Sequence, residues 1–435
     1  MKVVADLHLH SKYSRAVSSK MTLPIMAEYA QIKGINLLST GDFTHPEWVK
    51  ELDSCLEEVA SGMYKIGNTA ENVRYILGTE ISCIFTQGGK GRRIHLLVFA
   101  PNLKTVHKIN LALKKKGCNL NSDGRPIIGL SAIELCETLF SISEEIVVIP
   151  AHIWTPWFGL LGSKSGFDSL RESCDKYAEK IYAVETGLSS DPAMNWKIAE
   201  LNKRSIVSFS DAHSPEKLGR ELTVFESSQS TELTYQSFAG ALKGTGKWRI
   251  VYTIEFYPEE GKYHVDGHRL CGVWQLPHET RQKGKTCHVC GKPLTLGVLG
   301  RVEELAQGKK IIVEKKKDNN GVMFYHYSSR PPYAMLVPLQ EIVAEALQKG
   351  VKTKAVTKLY DVLVKRFGSE LEVLMEVKTK DLMEYDTKLA EAVKKVRSGD
   401  IFVQPGYDGV FGTVKIWSDG SKEVSSKEQM YLFDS

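Results

Sequence analysis

The stretch Asp6-Leu7-His8-Leu9-His10-Ser11 closes a short apolar run that begins at Val3. Alternation along a strand puts His8 and His10 on one face, a good spacing for two imidazoles on one metal ion. The same arrangement recurs along the first half of the chain. Gly41-Asp42-Phe43-Thr44-His45, Gly78-Thr79-Glu80, Pro150-Ala151-His152, Val184-Glu185-Thr186 and Ser210-Asp211-Ala212-His213 each end an apolar run, and His95 opens one. Strand ends in α/β barrels converge on one mouth. So many imidazoles and carboxylates at one mouth would repel or stay unsatisfied without cations. A single histidine at a strand end is more often hydrogen-bonded structure; the coincidence of six strand ends favours a multinuclear metal site.

The runs at 3–7, 35–40, 75–79, 95–100, 146–151, 181–185 and 206–210 read as strands. Helical patterns such as 21–33, 131–140 and 193–203 lie between most of them. This alternation predicts an α/β unit, a parallel sheet or barrel, over residues 1–247. Residues 248–300 are small, polar and rich in Gly, His and Cys. His268-Arg269-Leu270-Cys271 and Cys287-His288-Val289-Cys290 give an HxxC…CxxC pattern with the spacing of a zinc ribbon. His268, Cys271, Cys287 and Cys290 are therefore expected to hold a structural Zn²⁺, with His264 competing for the histidine position. Residues 301–435 carry a Lys-rich stretch at 309–317, an Asn320-Gly321 hairpin signal and a mainly helical pattern over 338–398. Lysines interleaved with Phe324-Tyr325-His326-Tyr327 suit a nucleic-acid strand; a solvated lysine face beside a buried aromatic row is the equal alternative.

Composition narrows the class. The 435 residues are 42% hydrophobic and 25% charged, which excludes a largely disordered or fibrous chain. The net charge of +5 permits a nucleic-acid partner without requiring one. Scattered cysteines, no 18-residue apolar run and no apolar leader after Met1 predict a cytoplasmic protein without a membrane partner.

The order of these motifs, DLHLHS near the start and SDAH near residue 210, resembles the PHP (polymerase and histidinol phosphatase) family over roughly residues 1–245. The resemblance implies a distorted seven-stranded barrel that hydrolyses phosphoesters with up to three metals; the ligand types suggest zinc, manganese or iron in the His-rich positions, with Mg²⁺ or Mn²⁺ expected as the catalytic ion. It implies His8, His10, Glu80 and Asp211 around one ion, and Glu80 bridging to a second held with His95 and His152. A third would take His213 with Asp42 or His45. His8, His10, Glu80 and Asp211 would be the catalytic set. Two departures touch the third site: Ser14-Arg15-Ala16 replaces the family's S-H-G triplet, and TGDFTH replaces TDH. Arg15 offers a fork of donors for a substrate phosphate instead.

Stretches along nearly the whole chain, including NLNSDGRP at 119–126, AHIWTPWFG at 151–159, CHVCGKPLTLGVLGRVEELA at 287–306 and PGYDGVFG at 405–412, are similar to the endonuclease Q family of PHP-containing repair nucleases. That resemblance implies hydrolysis of double- or single-stranded DNA on the 5′ side of hypoxanthine, uracil, xanthine or an abasic site. A damaged base costs less to flip than a normal one. Trp154, Trp157 or Phe158 could stack on it, or could pack the loop. Asn119, Ser122 and Arg125 offer groups for base edges or phosphates, and Lys164 and Lys217 for phosphates. The tail Gln429-Met430-Tyr431-Leu432-Phe433 resembles a sliding-clamp-binding peptide. Two other functions fit parts of the pattern: a small-molecule phosphoesterase and a non-catalytic DNA-binding module.

Overall fold

The computed structural model describes residues 1–67, 73–229 and 231–418. The clamp-like tail lies outside them. The chain divides into two compact units. One comprises Met1–Gln31, Ile35–Gly187 and Ala199–Thr253; the other Ile32–Gly34, Leu188–Ile198 and Ile254–Ser435.

The first unit is a mixed sheet with helices, not the all-parallel arrangement expected. Lys2–Asp6 pairs parallel with Leu37–Ser39 and antiparallel with Leu222–Ser227. Leu37–Ser39 runs parallel to Arg74–Gln87. The departure comes next. Arg74–Gln87 and Lys90–Ala100 form one long antiparallel hairpin. Gly88 and Gly89 at its tip both have positive φ, 60° and 72°, as a tight two-residue turn demands. Lys90–Ala100 then pairs antiparallel with Val147–Pro150. Ala183–Glu185 and Ser205–Val207 form a separate parallel pair. Single backbone contacts, Ile153 N–H to Glu185 O at 3.0 Å and a bridge between Leu9 and Ala212, join that pair to the sheet. Phe99, Phe209, Phe225, Phe238 and Tyr235 fill the core between sheet and helices. Removing that much aromatic surface from water is what anchors the strand ends.

The second unit holds three antiparallel strands, Glu314–Lys317, Met323–His326 and Tyr333–Met335. It also holds the hairpins Asp266–His268/Val273–Gln275 and Phe402–Gln404/Thr413–Lys415. Five helices between Leu339 and Ser398 supply the expected helical region. Arg397, buried in the last of them, donates to the carbonyls of Val373, Leu374, Val377 and Asn320. Four carbonyls left over at helix ends and a turn are thereby satisfied by one guanidinium. On the hairpin, Lys315, Lys316 and Lys317 face solvent while Tyr325 is buried and stacks on Tyr333 at 4.9 Å. The aromatic row thus includes a core residue. Among the described residues no helix is long and apolar enough to cross a membrane.

Candidate metal centres

Two His–carboxylate groups form in the first unit: His8, His10, His152 and Asp211 lie beyond strand ends, whereas Glu80 and His95 sit within the two strands of the long hairpin, not at the strand termini expected. His8, His10 and Asp211 make one; Glu80, His95 and His152 make the other, each with ligand atoms within 4.8 Å of one another. Glu80 faces both. Its Oε1 lies 2.6 Å from His95 Nδ1, 3.1 Å from His152 Nε2 and 3.6 Å from His8 Nε2; its Oε2 lies 3.3 Å from His10 Nε2. His8 Nε2, His10 Nε2, His95 Nε2 and Asp211 Oδ1 are buried and none makes a well-aimed hydrogen bond, although His10 Nε2 lies 3.2 Å from Asp211 Oδ1. Buried lone pairs without a well-aimed partner are costly. Four of them among imidazoles and carboxylates are what a cation site requires, so the residues fit divalent metal.

The outward nitrogens are held from behind. Glu185 takes His8 Nδ1 at 2.9 Å and accepts the His152 N–H at 2.7 Å. Asp42 takes His10 Nδ1 at 3.2 Å, while its Oδ2 accepts the Ser11 N–H and the Ser11 and Ser14 hydroxyls. These carboxylates fix which ring nitrogen carries the proton, leaving the other free for a ligand role. The charges couple strongly. Burial opposes the charged rings of His8 and His10, but Glu185, Asp211, Glu80 and Asp42 outweigh it and raise both well above the ordinary histidine range. Burial pushes His95 down to about 4, leaving it neutral. Burial also opposes ionisation of Asp211 and Glu80, yet the adjacent imidazoles hold both low.

Strain marks the same places. Asp42, His152 and Asp211 take positive φ of 48°, 30° and 48°. Non-glycine residues adopt this conformation at a cost, and such strain gathers at functional sites. Asp6 secures the segment around Asp211: its two oxygens accept the Ser210 and Gly219 N–H groups at 3.0 and 2.9 Å.

The expected third group does not assemble among the described residues. His45 stacks on Tyr13 at 4.5 Å, His213 Nδ1 meets the Asp211 carbonyl at 2.9 Å, and Asp42 is spent on His10 and the serines. Of the expected substrate groups, Arg125 comes onto the centre, 3.1 Å from Glu80 Oε2. Asp123 accepts the backbone N–H of Arg15 and of Arg125, both at 3.2 Å; the Arg15 side chain is 72% exposed. Gly124 between them has no room for a side chain: a Cβ would fall 2.3 Å from Asp42 Oδ2. Asn119, Ser122, Lys164 and Lys217 are exposed. Trp154 is fully buried, Trp157 is exposed, and Phe158 is half-buried with its ring 4.5 Å from His95. Sequence reasoning passed over Glu185 as a site residue although it ends a strand.

The second unit gathers His268, Cys271, Cys287 and Cys290 within 4.8 Å, with His268 Nδ1 3.7 Å from Cys290 Sγ. Ligands around a tetrahedral zinc stand about 3.6–3.8 Å apart. Desolvation and the Cys290 and Cys287 sulfurs push the Cys271 thiol up to about 11. The competitor His264 is buried outside the group.

Fold and site together define a mixed α/β protein with two adjoining His–carboxylate groups sharing one glutamate, plus a Cys₃His group of zinc-ligand composition. Residues 338–400 match the family described as the MJ0043 C-terminal domain. The chain is 32% identical over 433 residues to the uncharacterized protein YqxK of Bacillus subtilis, covering 95% of this chain and 99% of that one. It is 34% identical over 267 residues to the uncharacterized protein MJ0043 of Methanocaldococcus jannaschii, covering 60% of this chain and 31% of that one. Among solved structures it is similar to the lesion-specific endonuclease PfuEndoQ from Pyrococcus furiosus, with TM-score 0.81, 31% identity and 98% and 99% of the two chains covered. It is equally similar to endonuclease Q in complex with a 27-mer duplex carrying an abasic lesion, with TM-score 0.80, 32% identity and 98% and 100% covered. The chain belongs to the endonuclease Q family.

Proposed function

We propose that the chain is a metal-dependent DNA endonuclease that hydrolyses the phosphodiester 5′ of a deaminated base or abasic site. The single observation that carries the reading is the pair of His–carboxylate groups bridged by Glu80, in a chain alike end to end to lesion-specific endonucleases. His8, His10 and Asp211 would hold one ion and Glu80, His95 and His152 another. When bound, Mg²⁺, Mn²⁺ or Zn²⁺ supplies Lewis acidity toward phosphoryl oxygens and lowers the pKa of water. Glu185 and Asp42 orient the imidazoles. Arg125 offers two donors to a phosphate oxygen beside Glu80, and Asp123 holds its backbone in place. Trp157 and Phe158 are the aromatics of their loop that a flipped base could reach. His268, Cys271, Cys287 and Cys290 would bind structural zinc in the lobe of residues 248–300, and residues 301–435 would serve DNA binding. A barrel reading of the first unit rests on the backbone contacts that link its sheet to its strand pair.

The test is incision of duplexes carrying hypoxanthine, uracil, an abasic site or no lesion, with Mg²⁺ or Mn²⁺ present. One cut immediately 5′ of the lesion, leaving a 3′-hydroxyl, is expected. Hydrolysis of a generic phosphoester without lesion-dependent cutting would overturn the reading.

A further inference from the structure

The stretch Pro405–Gly412 plays no part in either metal group, yet the second unit holds it firmly. Asp408 Oδ2 accepts the Arg269 N–H at 2.8 Å and Oδ1 accepts the Thr295 hydroxyl at 2.6 Å. Gly406 N–H bonds Glu259 O, Gly409 N–H bonds Lys262 O and Gly412 N–H bonds Glu260 O. Tyr407 and Val410 exchange both backbone bonds around Asp408 and Gly409, whose φ values are 42° and 90°. The Tyr407 ring packs on Gly267, where a Cβ would fall 2.5 Å from it. Gly267 precedes the ligand His268, so the loop is fastened to the Cys₃His lobe itself.

This fixed turn presents large apolar side chains to water. Phe411 is 68% exposed and Val410 is 40% exposed; Leu270, next to the anchoring Arg269, is 79% exposed. Lys262 Nζ sits 4.4 Å from the Phe411 ring centroid, and the Arg269 guanidinium lies against Gly409. An apolar side chain on a preorganised turn loses little entropy when it is inserted into a partner. Two cations beside it match a phosphate backbone. Apolar wedges between base steps are a known means of kinking a duplex.

We propose that the 405–412 turn is a DNA wedge. Phe411, backed by Val410, enters a base step of the lesion-bearing duplex, and Lys262 and Arg269 meet the flanking phosphates. The inference rests on the DNA-endonuclease reading for its partner, and the experiment separates the two. The full-length protein is titrated with a lesion duplex that carries 2-aminopurine beside the lesion, and binding, fluorescence and incision are followed. Wild type should raise the fluorescence as the step opens. Phe411→Ala should abolish that rise and weaken duplex binding by about five- to a hundredfold, the range for loss of one stacking ring. Phe411→Trp should restore both, and melting should not change because the ring is exposed. Lys262→Ala should lower the salt dependence of log K by about one unit of slope. Duplex binding and fluorescence unchanged in Phe411→Ala would overturn the wedge. So would unchanged duplex binding with altered sedimentation, which would make the turn a contact with a second copy. A wild type that binds and opens the duplex through Phe411 but cuts nothing would overturn the endonuclease reading and leave the wedge standing.

Discussion

The two sets of candidate metal-ligand residues are built on opposite plans. The His–carboxylate groups draw ligands from positions 8, 10, 80, 95, 152 and 211, brought together by a sheet with its own aromatic core. The Cys₃His group draws all four from positions 268 to 290, in a lobe whose Leu270 and Val289 lie exposed. In the first, the fold makes the site: carboxylates behind the rings are already in place, and several lone pairs point inward without well-aimed partners. In the second, a bound zinc would make the fold: short segments with little core would be tied at one point. Chemistry needs the first plan, because a preorganised polar cavity does not reorganise during reaction. A small lobe needs the second, because apolar burial there cannot offset chain entropy.

The largest effect should fall on the second plan. If the group holds zinc, chelation strong enough to strip it removes apparent binding energy on the order of 10–16 kcal/mol, and Cys287→Ser removes part of it. One metal per chain should be lost, and limited proteolysis should cut within residues 264–297. The first unit should keep its protection. Collapse of the whole protein together with the lobe would break the contrast.

Next comes Asp211→Asn. It should lower lesion-dependent incision by about 10²–10³-fold or more, the scale of losing one preorganised electrostatic group, with melting little changed. If cutting survives undiminished, the His–carboxylate groups are not the reactive centre. Glu185→Gln keeps the shape but weakens the hold on His8 and His152. About 10- to 100-fold in metal affinity or activity should go, and excess metal should restore part of it. Metal affinity followed by titration separates this positioning role from a ligand role.

The sequence made some of this visible and hid the rest for physical reasons. His8 and His10 were legible because strand alternation is a local rule. Glu185 ended a strand in plain sight, but nothing local says that its carboxylate turns onto His8, 177 residues away. Asp42 reads like a ligand; only its three serine donors and His10 show it working from behind. Trp154 and Trp157 are three apart in one loop, and burial alone distinguishes them. The long hairpin of the first unit escaped because continuous apolar strands look alike whether parallel or antiparallel. The Gly88-Gly89 pair was its local signal. The clustering of His268, Cys271, Cys287 and Cys290 was legible because the four residues are neighbours in sequence.

The smallest expected effect tests whether the second unit leans on more than its metal. Glu259, whose carbonyl carries the 405–412 turn, is buried; burial, then the charges of Asp191 and Glu260, raises its carboxyl to about 7 from 4.5. The folded state therefore binds this proton more tightly than the unfolded chain does. Stability from the group is full below about pH 4.5 and is lost as pH rises through 7. Between pH 6 and 8 the loss should be about 1 kcal/mol. Glu259→Gln cannot ionise, so its stability should be flatter with pH over that range, crossing the wild type toward alkaline pH. Melting of the metal-loaded protein at several pH values, with protease protection of the two units read separately, measures it. A pH dependence confined to the second unit would mark that unit as stabilised by a buried proton as well as by a metal. An identical dependence in Glu259→Gln would exclude this buried proton as a support of the second unit.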